Sequence, residues 1–300
     1  MYKAFYGLNT NPFDISPDPK FFYGTPRHNE ALAILYHGIE RRKGFIVVTG
    51  EVGTGKTLLA RCLFQSLQGQ KISFAFVFNP LLSTLEFLQY FLNDLGIFSA
   101  GKSKGELLAE LNRHLIARYR QNSTTALIID EAQLLSWELL EEVRLLTNLE
   151  TSQQKLLQIV LIGQPELDQK LESQDLRQLK QRIALRCRLE SLSLSDTRRY
   201  IIARLWLAGA KERSKTIFPD STVELIHRYS NGIPRLVNTI CEAALIGAFA
   251  TKSLTVQAEI VDEVAADFRL NAIVPWTDDH KPVMNAERVE PATHAAAKAV

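Results

Sequence analysis

Phe45-Ile46-Val47-Val48-Thr49-Gly50-Glu51-Val52-Gly53-Thr54-Gly55-Lys56-Thr57 passes from a short apolar run into a glycine-spaced turn and then into a helical pattern. Residues 50–57 satisfy G-x-x-x-x-G-K-[ST]. Small residues at this spacing let backbone N–H groups turn inward around phosphate oxygens. The helix that opens near Lys56 points its positive end at the anion. In such a loop Lys56 reaches the β and γ phosphates and the Thr57 hydroxyl ligates Mg²⁺. Gly50, Glu51, Val52, Gly53, Thr54, Gly55, Lys56 and Thr57 are therefore the expected nucleotide-binding residues. The alternative is a chance match. The buried strand before the motif and the helical period after it are the context that the motif requires.

Working outward, short apolar runs recur at 72–78, 126–129, 157–162 and 188–192. Segments of helical period lie at 28–42, 57–67, 85–95, 106–119 and 137–149. Strands alternating with helices predict an α/β fold, a parallel sheet flanked by helices on both faces. After residue 193 the strand signals stop. Segments 196–208, 221–230, 234–250 and 257–268 read as amphipathic helices, so a small all-helical lid domain is expected over 193–270. Residues 1–27 are rich in aromatics and Pro, with too many prolines over 11–19 for a helix. They are expected to form an extended arm packed over the body, before a core over 28–192. Residues 271–300 lack a period and are expected to be a flexible tail.

Composition narrows the function classes. The 300 residues are 46% hydrophobic and 23% charged, with 35 Lys+Arg against 33 Asp+Glu. These are globular values, and the near balance of charge argues against a polybasic nucleic-acid binder. Cys62, Cys187 and Cys241 stand far apart, so neither a disulfide framework nor a zinc site is expected. The N-terminus lacks the features of a secretory signal, and no apolar run of about 18 residues offers a membrane span. The expected location is cytoplasmic, or peripheral at the inner membrane.

A phosphate loop needs an acid at the end of a second buried strand. Leu127-Ile128-Ile129-Asp130-Glu131 supplies it. Asp130 would hold Mg²⁺, directly or through water, and Glu131 would polarise an attacking water. The alternative is a pair of solvated acids closing a strand. Gln164, after the run at 157–162, can sense the γ-phosphate and the water, or simply cap the helix begun by Pro165. The segment 175–188 carries Arg177, Lys180, Arg182, Arg186 and Arg188 against one acid. Read as a basic helix, it is a solvated face, a nucleic-acid patch, or the source of an arginine finger for a neighbouring subunit. Arg182 is the first choice for that finger, with Arg177 and Arg186 behind it. Asn231-Gly232-Ile233-Pro234-Arg235 joins two helices. It places Arg235 at a helix start, either sensing nucleotide or in a surface salt bridge.

Together these pieces resemble an AAA+ P-loop ATPase. Phe5-Tyr6-Gly7-Leu8, Asn11-Pro12-Phe13, Pro17-Asp18-Pro19 and Phe22-Tyr23 add a resemblance to the ExeA/GspA family of general secretion pathway ATPases. Asp130-Glu131-Ala132-Gln133, Gly163-Gln164-Pro165-Glu166-Leu167, Gln181-Arg182-Ile183 and Gly232-Ile233-Pro234-Arg235 carry it through the rest of the chain, to about residue 268. The ATPases encoded with exosortase and exopolysaccharide genes are similar. The resemblance implies hydrolysis of ATP with Mg²⁺, a homo-oligomeric active state, and work on envelope secretion or polysaccharide-export proteins. Longer family members continue into a membrane span and a wall-binding domain. This sequence ends in a short polar tail, so membrane association is expected only through a partner.

Two other functions compete. Transposition ATPases of the TniB and MuB type share a related core, which would make the chain a DNA-associated regulator. A nucleotide switch with little turnover is the third reading, and Glu131 argues against it. Tyr23 and His28, ahead of the core, are guesses for contact with the base.

Overall fold

The computed structural model describes residues 2–270. The tail expected over 271–300 lies outside the described residues. The strands are β1 (Phe45–Gly50), β2 (Ile72–Val77), β3 (Thr124–Ile129), β4 (Leu157–Gly163) and β5 (Leu185–Leu189). Helices α1 (Tyr2–Tyr6) and α2 (Pro26–Glu40) precede β1, and α3 (Lys56–Leu67) follows it. Then come α4 (Thr84–Asp94), α5 (Lys104–Arg120), α6 (Trp137–Leu146), α7 (Pro165–Glu172) and α8 (Arg177–Lys180). The chain continues with α9 (Leu194–Leu205), α10 (Asp220–Ser230), α11 (Pro234–Ala250) and α12 (Ala258–Asp267).

All strand pairs are parallel, in the order β2-β3-β4-β1-β5. Alternate residues of each central strand feed opposite faces, as the two-residue period of a strand demands. Phe45, Val47, Leu127, Ile129, Ile159 and Leu161 join a core with α4, α5 and α6. Ile46, Val48, Ala126, Ile128, Val160 and Ile162 join a second core with α2 and α3. Burial on both faces is why β1, β3 and β4 read as largely hydrophobic runs, with Thr49, Thr124, Thr125 and Gln158 buried among the apolar residues.

The order of strands matters for the site. In a parallel sheet the connecting turns at the carboxyl ends lie together, and a crevice forms where strand order reverses. The β1–α3 turn lies there, with the ends of β3 and β4 beside it.

Two expectations need correction. The basic segment 175–188 is not one helix. It breaks into a 3₁₀ turn (Gln174–Leu176), the single turn α8, and β5. Within β5 the inward positions Cys187 and Leu189 are buried, while Arg186 and Arg188 point outward. That two-residue alternation makes the segment a strand, three residues earlier than the expected run at 188–192. The arm, too, is not simply extended. It opens with α1 and later forms a 3₁₀ turn at Pro19–Phe21, with Asp18 as its N-cap.

A third core holds α9–α12 together, and the arm is part of it. Tyr6, Leu8, Phe13 and Phe21 are buried with Ile201, Leu205, Phe218, Val237, Ile240 and Leu245.

Candidate active site

The phosphate loop is built by glycine geometry. Gly53 and Gly55 hold φ of +83° and +97°, values that L side chains rarely adopt. Gly55 is the N-cap of α3, so the helix begins at Lys56 and its free N–H groups face into the loop. Gly50 is needed for a different reason: a Cβ there would lie 2.9 Å from the Leu189 carbonyl oxygen of β5.

Lys56 is buried, and its Nζ donates to the carbonyls of Gly50 (2.7 Å) and Glu51 (2.9 Å). Burial lowers its pKa, against the opposing pull of Glu131, Asp130 and Glu51. The head group thus bridges its own loop, where phosphate oxygens would replace those carbonyls. Thr57 Oγ1 donates to Asp130 Oδ2 at 2.8 Å, joining the start of α3 to the end of β3. Burial raises the Asp130 pKa, an effect that a cation at this carboxylate would reverse.

These donors suit Mg²⁺. It takes hard oxygen ligands and keeps one or two protein oxygens alongside phosphates and water. Among the described residues, no group of three His, Cys, Asp or Glu forms an all-protein metal cage. The oxygens of Thr57 and Asp130, 2.8 Å apart, are the ones that would hold the ion.

Glu131 occupies a left-handed backbone position, φ +51° and ψ +38°. A non-glycine residue held there stores strain of about 1–3 kcal/mol, and such positions cluster at functional sites. Its Oε2 accepts from Gln133 Nε2 (2.5 Å) and Gln164 Nε2 (3.0 Å). Burial pushes its pKa up, but the two amides together with Lys56 and Arg235 hold it below the ordinary carboxylate range. Glu131 is therefore a carboxylate at neutral pH, as a proton acceptor must be.

Gln133 is the residue that sequence reading passed over. Its Oε1 accepts from the Gln164 backbone N–H at 3.0 Å while its Nε2 holds Glu131, so one amide fixes both neighbours. Its place two residues after Glu131 was the signal available in the sequence. Lys170 on α7 donates to the Gln133 and Leu135 carbonyls and pins that turn from below.

The helical region reaches the same cleft. The Arg235 backbone N–H donates to the Gly53 carbonyl at 3.2 Å. Tyr200, Arg204 and Asn238 line the cleft with Lys56, Thr57 and Glu131. Residues 14–18 of the arm complete its wall.

A family model described as an AAA domain matches residues 39–171. The general secretion pathway protein A of Aeromonas hydrophila is 45% identical over 254 residues, 84% of this chain and 46% of that protein. The fold is that of the AAA+ P-loop proteins. The chain's relation to general secretion pathway protein A, read first from short motifs, extends through most of its length, while it spans about half of that relative. Among solved structures, Cdc6p from Pyrobaculum aerophilum superposes with a TM-score of 0.63 at 16% identity, covering 88% of this chain and 70% of that one. The ORC2 protein of Aeropyrum pernix gives 0.62 at 18% identity, covering 86% and 72%. Likenesses at this identity show the AAA+ fold alone.

Not every sequence candidate comes to the cleft. Arg182 stands just before β5, which pairs Leu185 with Ile46 and Leu189 with Gly50. The phosphate loop follows Gly50. At about 3.3 Å per residue, Arg182 is displaced along the sheet by more than the length of β5 from the phosphate loop of its own chain. Its Nη1 donates instead to Thr147 Oγ1 at 2.7 Å. Arg186 pairs with Asp168 (3.2 Å) and Glu172 (3.5 Å), and Arg177 is exposed.

Tyr23 and His28 do not line the cleft either. Tyr23 packs edge-on to Tyr200 at 6.0 Å. The His28 ring is buried between Thr25 Oγ1 (2.7 Å) and the Thr54 carbonyl (3.0 Å), so it braces the phosphate loop from behind. Burial lowers its pKa.

Proposed function

We propose that this chain is a Mg²⁺-dependent ATPase, acting as a homo-oligomer, that drives assembly or remodelling of a cell-envelope secretion or export system. The observation that carries the hydrolytic reading is the position of Glu131. Its carboxylate is held by two amides, beside Lys56 and the Thr57–Asp130 pair. A chain built only to hold nucleotide has no use for a strained, charged acceptor there.

In this reading Lys56 and the loop N–H groups of residues 50–57 hold the phosphates. Mg²⁺, when bound at Thr57 and Asp130, neutralises phosphate charge. Water attacks the γ-phosphorus, the bond to the ADP oxygen breaks, and Glu131 accepts the proton of the water. Gln164 orients that water. Arg235 reports the state of the cleft to the helical region over 193–270, which serves as the lid. Arg182 serves the site of a neighbouring subunit, because its own phosphate loop lies at the other end of the sheet. That neighbour makes the oligomer part of the mechanism.

The envelope role rests on the 45% identity to general secretion pathway protein A. Among the described residues no helix is long and apolar enough to cross a membrane. Membrane attachment through a partner is a further part of the proposal. The test is capture from native extract with Glu131→Gln protein, ATP and Mg²⁺, with and without nuclease. Recovery of secretin, inner-membrane or polysaccharide-export proteins, unaffected by nuclease, supports the role. Recovery of DNA with recombination proteins, lost on nuclease treatment, replaces it with the DNA-regulator reading.

A further inference from the structure

We propose that residues 14–18 form a strap across the mouth of the nucleotide cleft, and that Arg204 is the positioning residue that holds it there. Affinity for the nucleoside part of a nucleoside triphosphate then depends on a bond between the arm and α9. The inference rests on the ATPase reading above and adds a component to its binding site.

The strap is anchored differently at its two ends. Before it, the arm is built into the helical region. The N–H groups of Asn9 and Thr10 donate to the Ala208 carbonyl (2.7 and 3.4 Å), and Phe13 packs edge-on to Phe218 at 5.9 Å. After it, the arm is tied to the other side of the cleft. The Pro17 carbonyl accepts from Arg61 Nη1 at 2.7 Å, and Arg61 lies on α3, the helix that opens at Lys56. Between these anchors Asp14, Ile15 and Ser16 are exposed and line the cleft. Ile15 and Val52, both largely exposed, give the mouth an apolar face of the kind that a flat base covers.

Arg204 is placed to fix this path. It is only 5% exposed. Its Nε donates to the Pro12 carbonyl and its Nη2 to the Asp14 carbonyl at 3.3 Å. Its Nη1 donates to Tyr200 Oη at 2.6 Å, and Tyr200 donates onward to Asn238 Oδ1 at 2.8 Å. The guanidinium lies 4.9 Å from the Phe21 ring centre and 5.4 Å from that of Tyr200. A planar, five-donor cation can satisfy backbone carbonyls and stack on rings at once; an ammonium cannot. Arg204 thus spends its buried charge on the course of a segment 190 residues away, at the wall of the cleft.

The experiment has two parts. Hydrogen exchange on the full-length protein, with and without ATP and Mg²⁺, reads the peptides covering residues 12–18 and 50–57. Slower exchange in both is expected. Protection of 50–57 without 12–18 overturns the strap and leaves the ATPase reading standing; protection of neither overturns both. Steady-state kinetics of Arg204→Met and Arg204→Lys form the second part. For Arg204→Met, KM for ATP is expected to rise about tenfold while kcat stays within about threefold, with Arg204→Lys in between. An unchanged KM in a folded Arg204→Met protein, or equal losses in kcat for both variants at constant KM, overturns the positioning role. If Arg204→Met does not fold, the exchange data on the unaltered protein decide.

Discussion

The first turn of α11 rests on the phosphate loop: the Arg235 N–H donates to the Gly53 carbonyl at 3.2 Å. The contact is tight on both sides. A Cβ on Gly53 would stand 2.8 Å from Arg235 Cβ and 2.9 Å from Ile233 Cγ2, at a φ of +83°. Gly53→Ala must therefore move α11 or distort the loop. We expect nucleotide affinity to fall at least about tenfold, with a stability loss of about 1–3 kcal/mol from the forced backbone. Isothermal titration with ATP and a denaturant melt measure the two separately; affinity equal to the unaltered protein would refute the coupling.

Lys56→Ala and Glu131→Gln should fail at different steps. Lys56→Ala removes the cation that faces the phosphates and should abolish ATP binding. Glu131→Gln keeps the size of the side chain and loses the proton acceptor, so ATP should bind while turnover falls by about 10²–10⁴. Tight binding by the first variant, or normal turnover by the second, would reassign these residues.

Gln133→Ala should act through Glu131. It removes one of two amide donors to Oε2 and frees the Gln164 N–H. The expected result is a lower kcat with KM for ATP changed less than about twofold, since no phosphate contact is lost. A change confined to KM would place Gln133 on the substrate instead.

Mixing tests whether Arg182 acts across subunits. Arg182→Ala alone should be inactive. Added Lys56→Ala subunits, which cannot bind ATP but carry an intact Arg182, should restore part of the turnover. No recovery at any ratio would remove the trans role.

His28 gives a pH prediction with a definite sign. Burial lowers its folded-state pKa beneath the usual value, so the fold prefers the neutral ring. Its contribution is fully present above the unfolded value, about 6.5, and is lost as the pH falls through the lower folded value. Thermal midpoints should drop on acidification below about pH 6.5, and His28→Gln should flatten that part of the profile. An identical slope in the variant would show that other groups carry it.

The sequence was most readable where one physical demand governs each position. β1, its glycine turn and α3 could be read because phosphate geometry dictates spacing. β3 and β4 could be read because burial on both faces makes most of their positions apolar, Gln158 being buried with its amide bonded to Gly44 and Lys155. β5 was misplaced because it is an edge strand whose outward positions are Arg186 and Arg188, so charge masked its period. Arg204 gave no local sign of its reach: on α9 it looks like any helical arginine, and the backbone carbonyls it holds are nearly two hundred residues earlier. Gln133 lay inside a recognised motif, yet its bond to the Gln164 backbone appears only when β3 and β4 are neighbours.

Tyr6 donates its hydroxyl proton to the Ser253 carbonyl, and Phe13 and Leu8 share a core with α11. The arm thus finds its apolar partners far along the sequence, in the helical region. Until those partners are made, the arm's aromatic rings must stay exposed, and they remain a hazard for aggregation during translation. The sheet, whose strands all lie before residue 190, can assemble earlier. The arm's wall of the cleft forms only once the helical region has been made, so a nascent chain completes its nucleotide pocket after its sheet.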